Sequence, residues 1–270
     1  MLDDVTKKRI NSLRQILVGK LPDPKAQVEQ ITNGLIYKFM NDMDEQSVSM
    51  GGKSTYFSGK FQKYSWKNLL DTKTSGVEKI KLYSEAIEQM YTNENLPELF
   101  REIFKNSFLP FKDPSTLNMF LKEINEFHYS NSEKLGDAFE YLLSFMGSQG
   151  DAGQFRTPRH IIDFITEIVN PQKNETILDP ACGTAGFLIS AYKHILKQNT
   201  KKNLGDGLNA TDRKKIGKNL NGYDISPDMV KMSLVNMYLH KFTNPKINEY
   251  DTLSSEDRWN EYYDVILANP

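Results

Sequence analysis

From about residue 175 onward, short apolar runs alternate with helical stripes, and no convincing strand precedes that point. Strand candidates fall at 176–179, at 222–225, near 246–250 and at 264–268. Helices are expected at about 185–198 and 227–240, the second capped by Ser226 or Pro227. Such alternation specifies a parallel sheet with crossover helices. Upstream the pattern is helical. Asp23 is an N-cap ahead of Pro24 at the first helical position, and Val28, Ile31, Leu35, Ile36 and Phe39 follow at helical spacing. Further helices are expected at roughly 76–91, 96–105, 114–127 and 132–147, where Leu135, Phe139, Leu142, Leu143 and Met146 form one stripe ended by Gly147. Residues 42–62 read as a polar, Gly-rich loop and 199–219 as a polar, Gly- and Lys-rich insertion. A helix at 158–169 starts after Thr157-Pro158 and stops at Asn170-Pro171. The expected division is therefore a helical domain over 1–150 and an α/β domain over 151–270.

The 270 residues can bury a core without disulfides. Lys and Arg number 34 against 35 Asp and Glu, which excludes a strongly basic nucleic-acid-binding domain at the global level. Locally, residues 201–218 carry six cations against two carboxylates, a net of +4. That charge fits a loop on a DNA backbone or a solvated insertion equally well. Cys182 is the sole cysteine, so an intrachain disulfide and a Cys-rich zinc site are excluded. The four histidines lack metal-ligand spacing. No apolar run approaches the ~20 residues of a membrane span, and the charged N-terminus shows no secretory signal. A cytoplasmic protein is the default expectation.

Gly51-Gly52-Lys53-Ser54 invites a phosphate-loop reading. That pattern needs glycine at Ser47 and a preceding buried strand, so a plain loop is the better reading. The run Asp179-Pro180-Ala181-Cys182-Gly183-Thr184-Ala185-Gly186 carries more information. It ends a strand and opens a helix, where α/β sheets bind ligands. Gly183 and Gly186 allow a ligand to approach the backbone closely, or serve tight packing behind a helix N-cap. Asp179 would repel a phosphate and could bind an ammonium. Asp224, at the second strand's end, has the placement of an acid that holds ribose hydroxyls. Asn269 follows the fourth strand and offers an acceptor and donors suited to an adenine amine edge. Taken singly, Asp224, Asp251 and the 153–158 run also read as ordinary caps and turns.

Gly153-Gln154-Phe155-Arg156-Thr157-Pro158, the Asp-Pro-Ala-Cys-Gly run, Gly222-Tyr223-Asp224-Ile225, Asp251-Thr252-Leu253 and Ala268-Asn269-Pro270 occur in that order. The set resembles the N6-adenine DNA methyltransferases, and more narrowly the modification subunit of type I restriction–modification systems. The resemblance implies an α-helical N-terminal domain followed by the first half of an α/β, Rossmann-like S-adenosylmethionine-dependent methyltransferase domain. Its sheet order would be three-two-one-four. It implies S-adenosyl-L-methionine as cofactor, held by Gln154, Phe155, Thr157, Asp179, Ala181, Cys182, Gly183, Gly186, Asp224, Ile225 and Asp251. Asp179 would take the ammonium, Asp224 the ribose hydroxyls, and Asp251 would lie near the adenine amine. Asn269 and Pro270 would be catalytic. Implied partners are double-stranded DNA, a specificity subunit, a second modification subunit and a restriction subunit.

The family's fourth-strand motif is Asn-Pro-Pro followed by an aromatic, and Asn269 and Pro270 match its first two positions. Arg156 stands in place of an expected aromatic, and Tyr250 in place of a frequent glycine. The apolar 264–268 run reads as a strand buried on both faces. With no further strand after it, an N-terminal fragment inactive on its own is expected. The alternative is a non-catalytic module for assembly or for binding DNA or a specificity subunit.

Overall fold

The structure, a computed structural model, describes residues 3–127, 132–146, 157–254 and 257–269. The chain divides into two compact units, Met1–Asp151 and Ala152–Pro270. Among the described residues no helix is long and apolar enough to cross a membrane.

The first unit is helical. Its helices are α1 (Asp4–Val18), α2 (Pro24–Ser49), α3 (Trp66–Leu70), α4 (Gly76–Gln89), α5 (Glu98–Phe104), α6 (Pro114–Asn125) and α7 (Ser132–Leu143). Asp23 caps α2 as the sequence predicts, accepting from the backbone N–H groups of Lys25 and Ala26. Gly147, the expected stop of α7, lies outside the described residues. The expected loop at 42–62 is corrected, because α2 continues to Ser49. Residues 41–49 contain no glycine or proline, and Glu45 and Gln46 are good helix formers. Buried Asp44 turns inward from this last stretch. It accepts from Ser54 Oγ and from the N–H groups of Thr55, Tyr56 and Phe57 at 2.6–3.1 Å. Gly51 then adopts φ +85° and Gly52 N–H donates to Ser47 O. The Gly-Gly-Lys-Ser run is a helix stop. The unit's core centres on buried Tyr37, whose ring meets those of Phe57, Trp66, Tyr83 and Phe104 at 5.1–6.2 Å.

The second unit is α/β. It comprises α8 (Arg159–Val169), β1 (Ile177–Asp179), α9 (Gly186–Gln198), α10 (Ala210–Asn219), β2 (Leu220–Asp224), α11 (Pro227–Leu239), β3 (Lys246–Glu249) and β4 (Val265–Ile266). All pairings are parallel and the order is β3-β2-β1-β4, as the family resemblance implies. Asn170 ends α8 in the left-handed conformation. Leu188, Ile189, Ile195, Leu220, Met237 and Ile247 lie in the core of this unit.

Two expectations are corrected here. Part of the polar 199–219 stretch is the helix α10. Asn209 and Asp212 form a reciprocal capping box, and Ile216 is its one buried residue, so apolar periodicity could not reveal it. The 264–268 run is not buried on both faces: Ile266 is 60% exposed while Leu267 is buried. Polar groups set the start of β4 instead. The Asp264 carboxylate accepts from Thr176 N–H (2.7 Å) and Thr176 Oγ (2.8 Å).

Candidate functional site

The site is built at the C-terminal ends of the parallel strands. After β1 the chain turns sharply through Gly183 (φ +51°) and Ala185 (φ +62°). Left-handed backbone at alanine is strained, by on the order of 1 kcal/mol, and neighbouring elements hold it. Cys182 N–H donates to Tyr223 O (2.8 Å) and Ala185 N–H to Cys182 O (2.7 Å). From α11, Ser233 Oγ donates to Gly183 O (2.6 Å) and Asn236 Nδ2 to Thr184 O (2.8 Å). Both side chains are fully buried.

The two glycines have different roles. A Cβ placed on Gly183 would meet nothing within 4 Å, so the turn faces open space there. At Gly186 the same atom would sit 2.9 Å from Ile162 Cδ1, so that glycine admits α8 against α9. Gly222 in β2 is tighter still, with Ile247, Cys182 and Leu188 side-chain atoms at 2.7–3.0 Å.

Asp179 is 1% exposed, and its recorded hydrogen bond is a long one, from Ala181 N–H at 3.3 Å. Burial, and secondarily the charge of Asp224, push its carboxyl up to about 7. A buried acid so sparsely bonded is suited to a cation. Asp224 is better satisfied, accepting from Gly183 N–H (2.9 Å) and Ser226 N–H (2.8 Å). An ionised carboxylate has about four acceptor sites, so capacity for hydroxyls remains. Burial pushes the Cys182 thiol well above its ordinary value, and its sulfur lies 3.6 Å from Ser233 Oγ. It is a packing group in the turn.

A small cleft of about 70 Å³ is lined by Thr157, Asp179, Ala181, Cys182, Gly183, Gly186 and Asn269, with Ile162, Thr184 and Phe187. Asn269 Nδ2 donates to Thr157 Oγ at 2.8 Å, which leaves Asn269 Oδ1 as an acceptor. Asp224 joins the cleft through Gly183. Ile225 is exposed beyond it. Asp251 does not line it either. Its carboxylate caps a turn, accepting from Leu253 N–H, Ser254 N–H and Ser254 Oγ, and these bonds lower its pKa. Thr252 Oγ ties that turn to Pro180 O (3.1 Å). Gln154, Phe155 and Pro270 lie outside the described residues.

Sequence reasoning missed the supports. Ser233 and Asn236 are buried polar residues set among Met232, Val235, Met237 and Leu239 of α11, a pattern that marks a buried hydrogen-bonding role. It also missed the net of Tyr223, Arg258, Glu261 and Tyr263. Tyr223 Oη donates to Glu261 Oε2 (2.5 Å), and Arg258 Nη1 donates to both Tyr223 Oη and Glu261 Oε1 (3.1 Å each). This net fastens the segment before β4 to β2.

A parallel sheet with a glycine turn after its first strand and acids at the ends of the first two defines a Rossmann-like ligand-binding domain. Residues 130–270 match the N-6 DNA Methylase family, and the chain belongs to that family. It is 31% identical over 175 residues to the type I restriction enzyme EcoEI methylase subunit of Escherichia coli, covering 63% of this chain and 34% of that protein. It is 27% identical over 220 residues to the StySPI methylase subunit of Salmonella potsdam, covering 77% and 40%. The chain thus spans about a third to two-fifths of these relatives' length. In fold it resembles a modification subunit of a putative type I restriction enzyme from Vibrio vulnificus YJ016, with TM-score 0.70 and 21% identity over 98% of this chain and 60% of that one. A chain from a type I R-M system, solved in work on complex assembly and conformational transition, gives TM-score 0.72 at 23% identity, over 99% and 55%.

Proposed function

We propose that this chain is the cofactor-binding part of an adenine-N6 DNA methyltransferase, the modification subunit of a type I restriction–modification assembly. In this reading residues 1–150 are a helical domain for assembly and DNA, and 151–270 are part of the catalytic domain. The cofactor is S-adenosyl-L-methionine. The partners are double-stranded DNA, a specificity subunit, a second modification subunit and a restriction subunit, in the cytoplasm. The observation that carries the reading is Asp179, a buried carboxyl with one long hydrogen bond facing a cleft beside the open Gly183 turn.

The residues fit the cofactor's chemistry. Asp179 offers a carboxylate to an ammonium, and the Ala181–Gly186 side of the turn, with Cys182 as filler, bounds the methionine portion. Thr157, with Gln154 and Phe155, would close that end. Asp224 would accept from the ribose hydroxyls, Ile225 would flank the adenine, and Asp251 would lie near its amine. When bound, the cofactor supplies an activated methyl group on a sulfonium. Adenine N6 cannot be approached within the base stack, so the target base must leave the duplex. Asn269 Oδ1, its amide fixed by Thr157, would accept from the N6 amine together with the Pro270 carbonyl. Positioning and hydrogen bonding then carry the catalysis, with no covalent nucleophile.

The test is calorimetric titration of S-adenosylmethionine into wild type and Asp224→Ala. Removing two hydrogen bonds to a charged acceptor should cost about 1.5–3 kcal/mol of binding. Equal affinities would refute the assignment.

A further inference from the structure

A second concavity lies away from the acids. A cavity of about 600 Å³ is walled by Arg213, Lys214 and Lys218 of α10, Lys241 after α11, Lys246 at the start of β3, and the Tyr192 and Phe242 rings. Lys218 is two residues before β2, and Lys246 begins β3. Because the strands are parallel, the cavity sits at their N-terminal ends, opposite Asp179, Asp224 and Asn269.

Three elements thus contribute five cations, and among the described residues lining the cavity none is acidic. Lys214, Lys218 and Lys246 pair with no carboxylate among the described residues. The nearest acids of α10's own segment are engaged elsewhere. Asp212 caps α10 and pairs with Lys173 at 3.2 Å, and Asp206 accepts from the N–H groups of 201–203.

Helix C-termini attract cations, and α10 and α11 both end here. Each terminus carries only about half a negative charge, so the two together leave most of the charge of Lys214, Lys218 and Lys246 uncompensated. Lys241 lies in the stop that ends α11. It occupies the left-handed position (φ +75°) of a Schellman stop, its N–H donating to Tyr238 O and Phe242 N–H to Met237 O. Glycine is the favoured residue there.

We propose that this cavity binds the polyphosphate group of a small ligand. Lysines and an arginine are the groups that hold phosphate oxygens, and the volume is that of a small-molecule site. A duplex backbone is a less suitable occupant. It requires cations spread along a surface, whereas these cations converge on a concavity. The cavity also lies at the far end of the sheet from the Asn269 acceptor.

The test is titration of inorganic tripolyphosphate into the 270-residue chain at low salt. Saturable one-to-one binding is expected. Lys214→Glu/Lys218→Glu, and independently Lys246→Gln, should weaken it roughly tenfold or more per lost cation. The control Lys201→Glu/Lys202→Glu should bind as wild type, with thermal unfolding confirming that all variants fold. Tighter binding of a nucleoside triphosphate than of tripolyphosphate would assign a base to the Tyr192 wall, and equal binding would assign bare polyphosphate. Either supports the site. No saturable binding, or equal loss in the control, would overturn it. So would a DNA duplex that displaces tripolyphosphate and loses affinity in the same variants, because the occupant would then be a nucleic-acid backbone.

Discussion

At the scale of the residue, Asp179 sets the energetics of the site. Its carboxyl is pushed up to about 7 by burial, against an ordinary carboxylate near 3.9. Between those values the folded chain binds more protons than the unfolded chain. Stability therefore falls as pH rises through that window, by on the order of 4 kcal/mol from this group alone. Asp179→Asn should remove that component. In urea unfolding of the ligand-free protein, the variant should gain on wild type between pH 4 and 7 and exceed it in stability at pH 8. A constant difference across that range would contradict the assignment. Asp179, Gly183 and Asp224 are legible in the sequence because acids at strand ends and a glycine-rich turn are local signals. The packing partner of Gly186 is not, because Ile162, which fills its missing side chain, comes from α8.

Among the elements, α11 shows how a helix can hold a loop in an otherwise costly shape. Ser233 and Asn236 satisfy Gly183 O and Thr184 O, so the strained turn has no unpaired carbonyl there. Asn236→Ala would leave Thr184 O without its side-chain donor in a dry site. It should destabilise the chain by about 1–3 kcal/mol and weaken binding of S-adenosylmethionine, readable by denaturation and calorimetry. If both quantities match wild type, α11 does not hold the turn. Gly222→Ala should also destabilise, by roughly 1–3 kcal/mol. Its Cβ would press on Ile247, Cys182 and Leu188 at once, and an unchanged unfolding midpoint would show that β2 has room. Apolar stripes make α6, α8 and α9 legible from sequence, and Ser226-Pro227 marks the start of α11. Helix α10 and the end of α2 escape it. Capping, one buried isoleucine and an inward carboxylate support them, and none of these leaves a periodic trace.

Over the whole molecule, a formal charge of −1 conceals a polarised sheet. Acids gather at the C-terminal strand ends and cations at the N-terminal ends of β2 and β3. The order β3-β2-β1-β4 produces that separation, since every strand runs the same way. The order was legible only through motif resemblance; periodicity alone gives parallel strands without their arrangement. The central claim is that the acidic end receives the ammonium of S-adenosylmethionine at Asp179. The most direct measurement is the heat of S-adenosylmethionine binding at pH 7 in two buffers of different ionisation enthalpy. A cation bound at a carboxyl titrating near 7 should expel about half a proton per site, and Asp179→Asn should expel none. Binding without proton release in the wild type, or with undiminished release in Asp179→Asn, would contradict the account.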